Sequence, residues 1–148
     1  MEPVESRSDV RSLWVDAPAS RVFEALGDPV RVARWWGPAG FRNTLHTFEF
    51  RAGGRWLLTM HGPDGTDYPN ESRFAVIEPD RRVVIEHLSG HHFFLTIGLE
   101  PEGTGTRVHW TQTFDTAEHH ASIASFVAAA NQQNLERLSA EVLRPGAA

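Results

Sequence analysis

The apolar positions of this chain change period twice. In "DVRSLWVDAP", Val10, Leu13 and Val15 alternate loosely around Trp14, which predicts a first strand ending before Pro18. The period then lengthens. "APASRVFEALGDP" predicts a short helix, with Asp16 or Ala17 at its start and Pro18 near its first turn, where a missing N–H costs nothing. Val22, Phe23 and Leu26 form its apolar stripe, and Gly27 stops it. "DPVRVARWW" predicts a second short helix, capped by Asp28 and opened by Pro29. Val32, Trp35 and Trp36 share one side of it, and Gly37-Pro38 closes it.

From residue 43 the pattern falls to a period of two. "NTLHTFEF" predicts a strand with His46, Phe48 and Phe50 on its even face. "AGG" turns the chain into "RWLLTM", where Trp56, Leu58 and Met60 share a face. "HGPDGTDYPN" reads as a loop. Four further strands follow: "ESRFAVIE" with Phe74 and Val76 on one face, "VVIEHL", "HHFFLTIGLE" and "TRVHWTQTF". The last places Val108, Trp110, Gln112 and Phe114 on one face and Arg107, His109 and Thr111 on the other. A helical stripe of Ile123, Phe126, Val127, Ala130, Asn134, Leu138 and Val142 ends the chain, helped by Leu135. At 1.5 Å per residue this helix runs roughly 35 Å. Hairpin-linked strands imply a mostly antiparallel sheet, buried on one face against the long helix: a two-layer α+β domain. The expected domain is 9–143, with flexible tails at 1–8 and 144–148.

Length agrees with one domain, since 148 residues can bury a real core but would cramp two. The net charge of −5 disfavours a non-specific grip on nucleic acid or an anionic membrane. The chain has no cysteine, which removes disulfides, thiolate catalysis and thiolate metal sites. No run of about 18 apolar residues exists, and "MEPVESRSDVRS" has no apolar core, so neither membrane insertion nor a signal peptide is expected. Cytoplasmic localisation is the expectation.

Eight histidines invite a search for metal ligands. Neighbours on a strand point to opposite faces, so His91 and His92 do not share one ion. His119 and His120 fall at a helix start, and no H-E-x-x-H occurs. The histidine pairs are read as solvent-facing, and neither metal nor cofactor is expected. No serine sits in a G-x-S-x-G elbow, and "AGG" lacks the frame of a phosphate loop. What rises above background is the mixture on one face of the sheet. Trp36, Phe48, Trp56, Met60, Phe74, Trp110 and, from the helix, Phe126 would supply apolar surface, with His46 and Gln112 as orienting polar groups. Rings mixed with a few polar groups are typical of a ligand pocket.

The stretches "APASRVFEALGDPVRVARWWGPAGF" and "FRAGGRWLLTMHGPDGTDYPNESRFAVIEPDRRVVIE" carry a family signature. Its marks are Ala17-Pro18, Asp28-Pro29, Trp35-Trp36-Gly37-Pro38, Gly53-Gly54 and the Gly62-Pro63-Asp64-Gly65 loop. Glu78-Pro79, Gly105-Thr106, Thr113-Phe114 and the segment from Asn131-Gln132 to Leu138 complete them. Over residues 9 to 143 the chain resembles the family of the C-terminal domain of the activator of the heat-shock protein 90 ATPase. That family falls within the START-like superfamily of lipid-transfer, plant-allergen and polyketide-cyclase domains. The resemblance implies a helix-grip fold: a curved antiparallel sheet wrapped around the long C-terminal helix, with two short helices after the first strand. It implies binding of a small apolar or aromatic molecule between sheet and helix. A cyclase- or hydrolase-type enzyme using the same cavity is the alternative, with His46 and His109 as the histidines to examine. A protein-interaction module, such as a homodimer through the sheet edge or Trp14, is the third reading. The resemblance does not extend ATPase activation to this chain, which has no room for the second domain of the co-chaperones. Relatives commonly open the last helix with glycine and tryptophan. Here "HASIASFVAAANQQ" puts small side chains there, which either enlarge a cavity or let the helix sit closer.

Overall fold

The structure, a computed structural model, describes residues 3–145. Seven strands form one antiparallel sheet: β1 (Ser8–Val15), β2 (Arg42–Phe48), β3 (Arg55–His61), β4 (Asp67–Glu78), β5 (Arg82–His87), β6 (Phe93–Glu102) and β7 (Gly105–Phe114). Their order is β1-β7-β6-β5-β4-β3-β2. The first two strands in sequence are therefore opposite edges, and β2 to β7 run back as a meander. The chain crosses between those edges through α1 (Ala19–Gly27) and α2 (Pro29–Trp35). The third helix, α3 (Ala117–Val142), packs against the curved sheet.

Local chemistry explains the helix ends. Pro18 is extended and stands just before α1, so the helix begins at Ala19, one turn position later than its sequence suggests. Gly27 is the last residue of α1, and it is glycine for a packing reason: a Cβ there would lie 2.6 Å from the Phe50 ring. Asp28 caps α2 by accepting from Val30 N at 3.0 Å, with Pro29 in the first turn. Gly37, at φ +91°, supplies the left-handed turn that ends this segment.

The core lies at the α1–α2 end of the sheet. Val22, Leu26, Val32 and Trp35 from the short helices meet Trp56, Phe74, Ile97 and Trp110 from the strands, and Leu135, Leu138 and Val142 from α3. The rings interlock. Trp56 stacks on Phe74 at 5.7 Å, and Phe48 stands edge-on to both.

Three local expectations change. A bulge between Leu45 and Thr47 resets the parity of β2, so Leu45 and Phe48 both pack toward the core and His46 is exposed, bonded to Thr59 Oγ1 at 2.8 Å. The segment expected as a loop from His61 to Asn70 is a loop only from Gly62 to Thr66, His61 still belonging to β3. From Asp67 the chain is already strand, paired with β3 alone, and that free edge tolerates Pro69. Val4–Arg7 form a 3-10 turn rather than a ragged tail, and Arg7 Nη1 donates to Phe114 O at 2.9 Å. Of the tails expected at 1–8 and 144–148, residues 1–2 and 146–148 lie outside the described residues.

Candidate functional site: a cavity between sheet and helix

The segment Trp35–Phe41 is held in place by α3. Asn134 accepts from Gly37 N at 3.1 Å and donates to Trp35 O at 2.9 Å. One turn on, the Arg137 guanidinium donates to the carbonyls of Arg34, Trp36, Gly37, Pro38 and Phe41 at 2.6–3.0 Å. These carbonyls include orphans at the end of α2, which need such donors. A further turn on, buried Glu141 accepts from Arg31 and Arg34 at 2.9–3.0 Å. Both guanidiniums hold its carboxyl below the ordinary range, Arg34 first, against the opposing effect of burial.

The clamp sets the two tryptophans apart. Trp35 is buried and donates Nε1 to Ala25 O at 2.8 Å. Trp36 stands edge-on to Trp56 at 4.7 Å and divides the interior. On one side only about 10 Å³ of free space remains among Trp35, Phe48, Trp56 and Phe74, too little for a ligand. On the other side opens a cavity of about 750 Å³, within the range of small-molecule sites. Leu58, Met60, Phe93 and Gln112 wall it from the sheet, and Ile123, Val127, Ala130 and Asn131 from α3. The space lies under the N-terminal half of α3, where Ala130 is the one alanine in its lining, beside Ile123, Phe126 and Val127.

Polar groups enter this apolar wall at two places. On the β1–β7 side, Arg11 grips Asp9 through two bonds of 2.8 Å, and Asn131 Nδ2 donates to Asp9 Oδ2 and to Gln112 Oε1, both at 2.9 Å. The Arg11 bond holds the Asp9 carboxyl below its usual value, against burial and with help from Asn131. At the opposite wall, His87 meets Asn70 Oδ1 at 2.6 Å through Nε2 and His91 O at 2.8 Å through Nδ1. Burial pushes this imidazole below the usual histidine value. The rings of His91 and His119 lie 4.3 Å apart at the same end.

The structure brings together some of the sequence-predicted residues and separates others. Trp36, Met60, Gln112 and Phe126 line the cavity, Phe126 at its rim and 72% exposed. Phe48, Trp56 and Phe74 surround the tight gap, and Trp110, 1% exposed, is core. His46 is exposed, away from the cavity, because of the β2 bulge. His109 is also outside and bonds Glu100 at 3.0 Å. Sequence reasoning missed His87, His91 and His119 as wall residues. His91 and His119 read as solvent-facing because their proximity depends on where α3 starts, which strand parity does not fix. Asp9, behind the wall, was missed too, because its place opposite Gln112 depends on the β1–β7 pairing, which the sequence pattern does not give.

The sheet, helix and intervening cavity define a helix-grip protein. The chain belongs to the family described as "Activator of Hsp90 ATPase homolog 1-like protein", whose model matches residues 16–142. No curated protein matches it. Among solved structures it is similar to a protein from Arthrobacter aurescens, at 27% identity over 99% of this chain and 91% of that one, with a TM-score of 0.86. A Nitrosomonas europaea protein superposes at 0.87 with 16% identity, covering 97% of this chain and 98% of the other. The AHSA1-like protein from Aeromonas hydrophila superposes at 0.75 with 20% identity over 95% of each chain. The latter two likenesses speak to fold alone. No helix among the described residues is long and apolar enough to cross a membrane.

Proposed function

We propose that the protein binds a small apolar or aromatic molecule in the cavity between β3–β7 and the N-terminal half of α3. The observation that carries this reading is the unequal filling of the interior. Five aromatic residues close the α1–α2 end to about 10 Å³, while the α3 end keeps about 750 Å³ with an apolar lining. Interiors normally pack to crystal density, so a void of that size beside a well-packed core favours a ligand over a loose core. Catalysis in the same space has weaker support. Both ring nitrogens of His87 lie within hydrogen-bond distance of protein oxygens, and His119 Nε2, though without a hydrogen-bond partner, is buried and has no acid–base group bonded to it.

The test is titration with 8-anilinonaphthalene-1-sulfonate. Wild type should show saturable fluorescence enhancement at one site. Ala130→Trp, which places an indole in the cavity, should lose at least about tenfold in affinity while keeping the wild-type circular dichroism spectrum. Unsaturable binding, or an Ala130→Trp protein that binds like wild type, would sink the reading.

A further inference from the structure

The polarity of the cavity wall is dictated by a charge that does not touch it. Asp9 and Gln112 are register partners on β1 and β7, and Asn131 of α3 spans both. An ionised carboxylate only accepts hydrogen bonds. Asn131 must therefore turn its amino group, not its oxygen, toward Asp9. The second hydrogen of that amino group goes to Gln112, which must answer with its oxygen. One amide orientation is thus forced by the next, back to the Arg11–Asp9 pair, and the donor left over is the Gln112 amino group. Reversing either amide would set like groups against each other in a buried site, a costly arrangement.

Of the other polar groups of the wall, those nearest the apolar core and on β5 are engaged, while His119 Nε2 lies without a hydrogen-bond partner at the far, histidine-lined end. Asn134 serves the Trp35–Gly37 backbone, and both nitrogens of His87 are occupied. Leu58, Met60, Val127 and Phe93 offer no hydrogen bond.

We infer that the Arg11–Asp9–Asn131–Gln112 chain fixes Gln112 as a hydrogen-bond donor to the ligand, so that the cavity selects apolar molecules carrying an acceptor group such as an aryl ketone. This rests on the small-molecule reading above. Gln112 touches the ligand; Asp9 and Asn131 are positioning residues that act through it.

A matched pair of probes tests the inference by displacement of 8-anilinonaphthalene-1-sulfonate. 2-Acetylnaphthalene carries a carbonyl, and 2-isopropenylnaphthalene has nearly the same shape without it. Wild type should prefer the ketone by about tenfold, as one hydrogen bond to a group otherwise left unpaired allows. Gln112→Leu should bind both with a ratio near one. Asp9→Asn, remote from the ligand, should shrink the ratio below about threefold without abolishing binding, an effect a purely structural role would not produce. In ¹⁵N-labelled wild type the side-chain amide resonances of Gln112 should shift with the ketone and not with the alkene. That spectrum keeps the test decisive if a variant fails to fold. Equal affinity of wild type for the two probes overturns the inference while leaving the cavity reading intact. Failure of both probes and of the dye to bind overturns the two together.

Discussion

At the scale of single residues, Asn134 and His46 carry opposite lessons. Asn134 lies on the apolar stripe of α3, where a sequence pattern shows only a polar residue in a hydrophobic place. In the structure it satisfies one buried N–H and one carbonyl at the end of α2. Asn134→Ala strands both, at about 1–3 kcal/mol for each unsatisfied group. Thermal or urea unfolding should therefore show a loss of about 2–6 kcal/mol; a loss below about 0.5 kcal/mol would contradict this role. His46 reads from parity as an interior polar group and is nothing of the kind. One extra residue in β2 turned it outward. His46→Ala should change stability by no more than about 0.5 kcal/mol and leave dye affinity unaltered. A bulge is a decision of the paired backbone, and no residue type in "TLHTF" announces it. Phe48, one position past the bulge, packs inward as its alternation suggests, whereas the interior place read for His46 belongs to Leu45.

At the scale of elements, the joint between α2 and α3 holds a buried cluster of charge. Arg31 and Glu141 are both buried, and Arg34 completes the group from the rim. The caps of α2 were legible in "DP", and its apolar side in Val32 and Trp35. The docking partner was not, because Arg31, Arg34 and Glu141 look like ordinary solvated helix charges until α3 crosses α2. Glu141 has a carboxyl value depressed chiefly by Arg34 and Arg31. A depressed folded value means the contribution is complete above the unfolded carboxylate range, near pH 4.3, and fades as pH falls through the lower folded value. Glu141→Gln leaves two guanidiniums without their counter-charge and should cost about 3 kcal/mol at pH 7. Its stability should then vary less with pH than wild type on the acid side, as measured by urea midpoints between about pH 3 and 6. Parallel acid limbs for the two proteins would show that Glu141 is not the group responsible.

At the scale of the whole molecule, one continuous helix serves two different interiors. From Asn131 to Val142, α3 buries Asn134, Leu135, Leu138 and Glu141 against a filled core and holds α2 through three successive side chains. From Ala117 to Phe126 no whole residue is buried, although His119 and His120 lean on Phe114, and Val127 is its first buried residue. The sheet-facing side of that half looks onto the cavity, so helix propensity and the Thr116 cap, which accepts from His119 N at 3.1 Å, hold it more than packing does. Segments with few buried contacts open locally at free energies below that of global unfolding. Amide exchange should therefore divide α3 in two. Amides of residues 121–127 should be protected at least about a hundredfold less than those of 134–142, a gap of about 2.7 kcal/mol. An occupant of the cavity supplies the packing this half lacks, and a ligand at 100 times its Kd adds about 2.7 kcal/mol to the states that bind it. Saturating 8-anilinonaphthalene-1-sulfonate should thus slow exchange at 121–127 and narrow the gap. Protection that is uniform along α3 in the free protein would mean that the helix is held as one unit. In that case a ligand must enter past the Phe126 rim, without the N-terminal half lifting from the sheet.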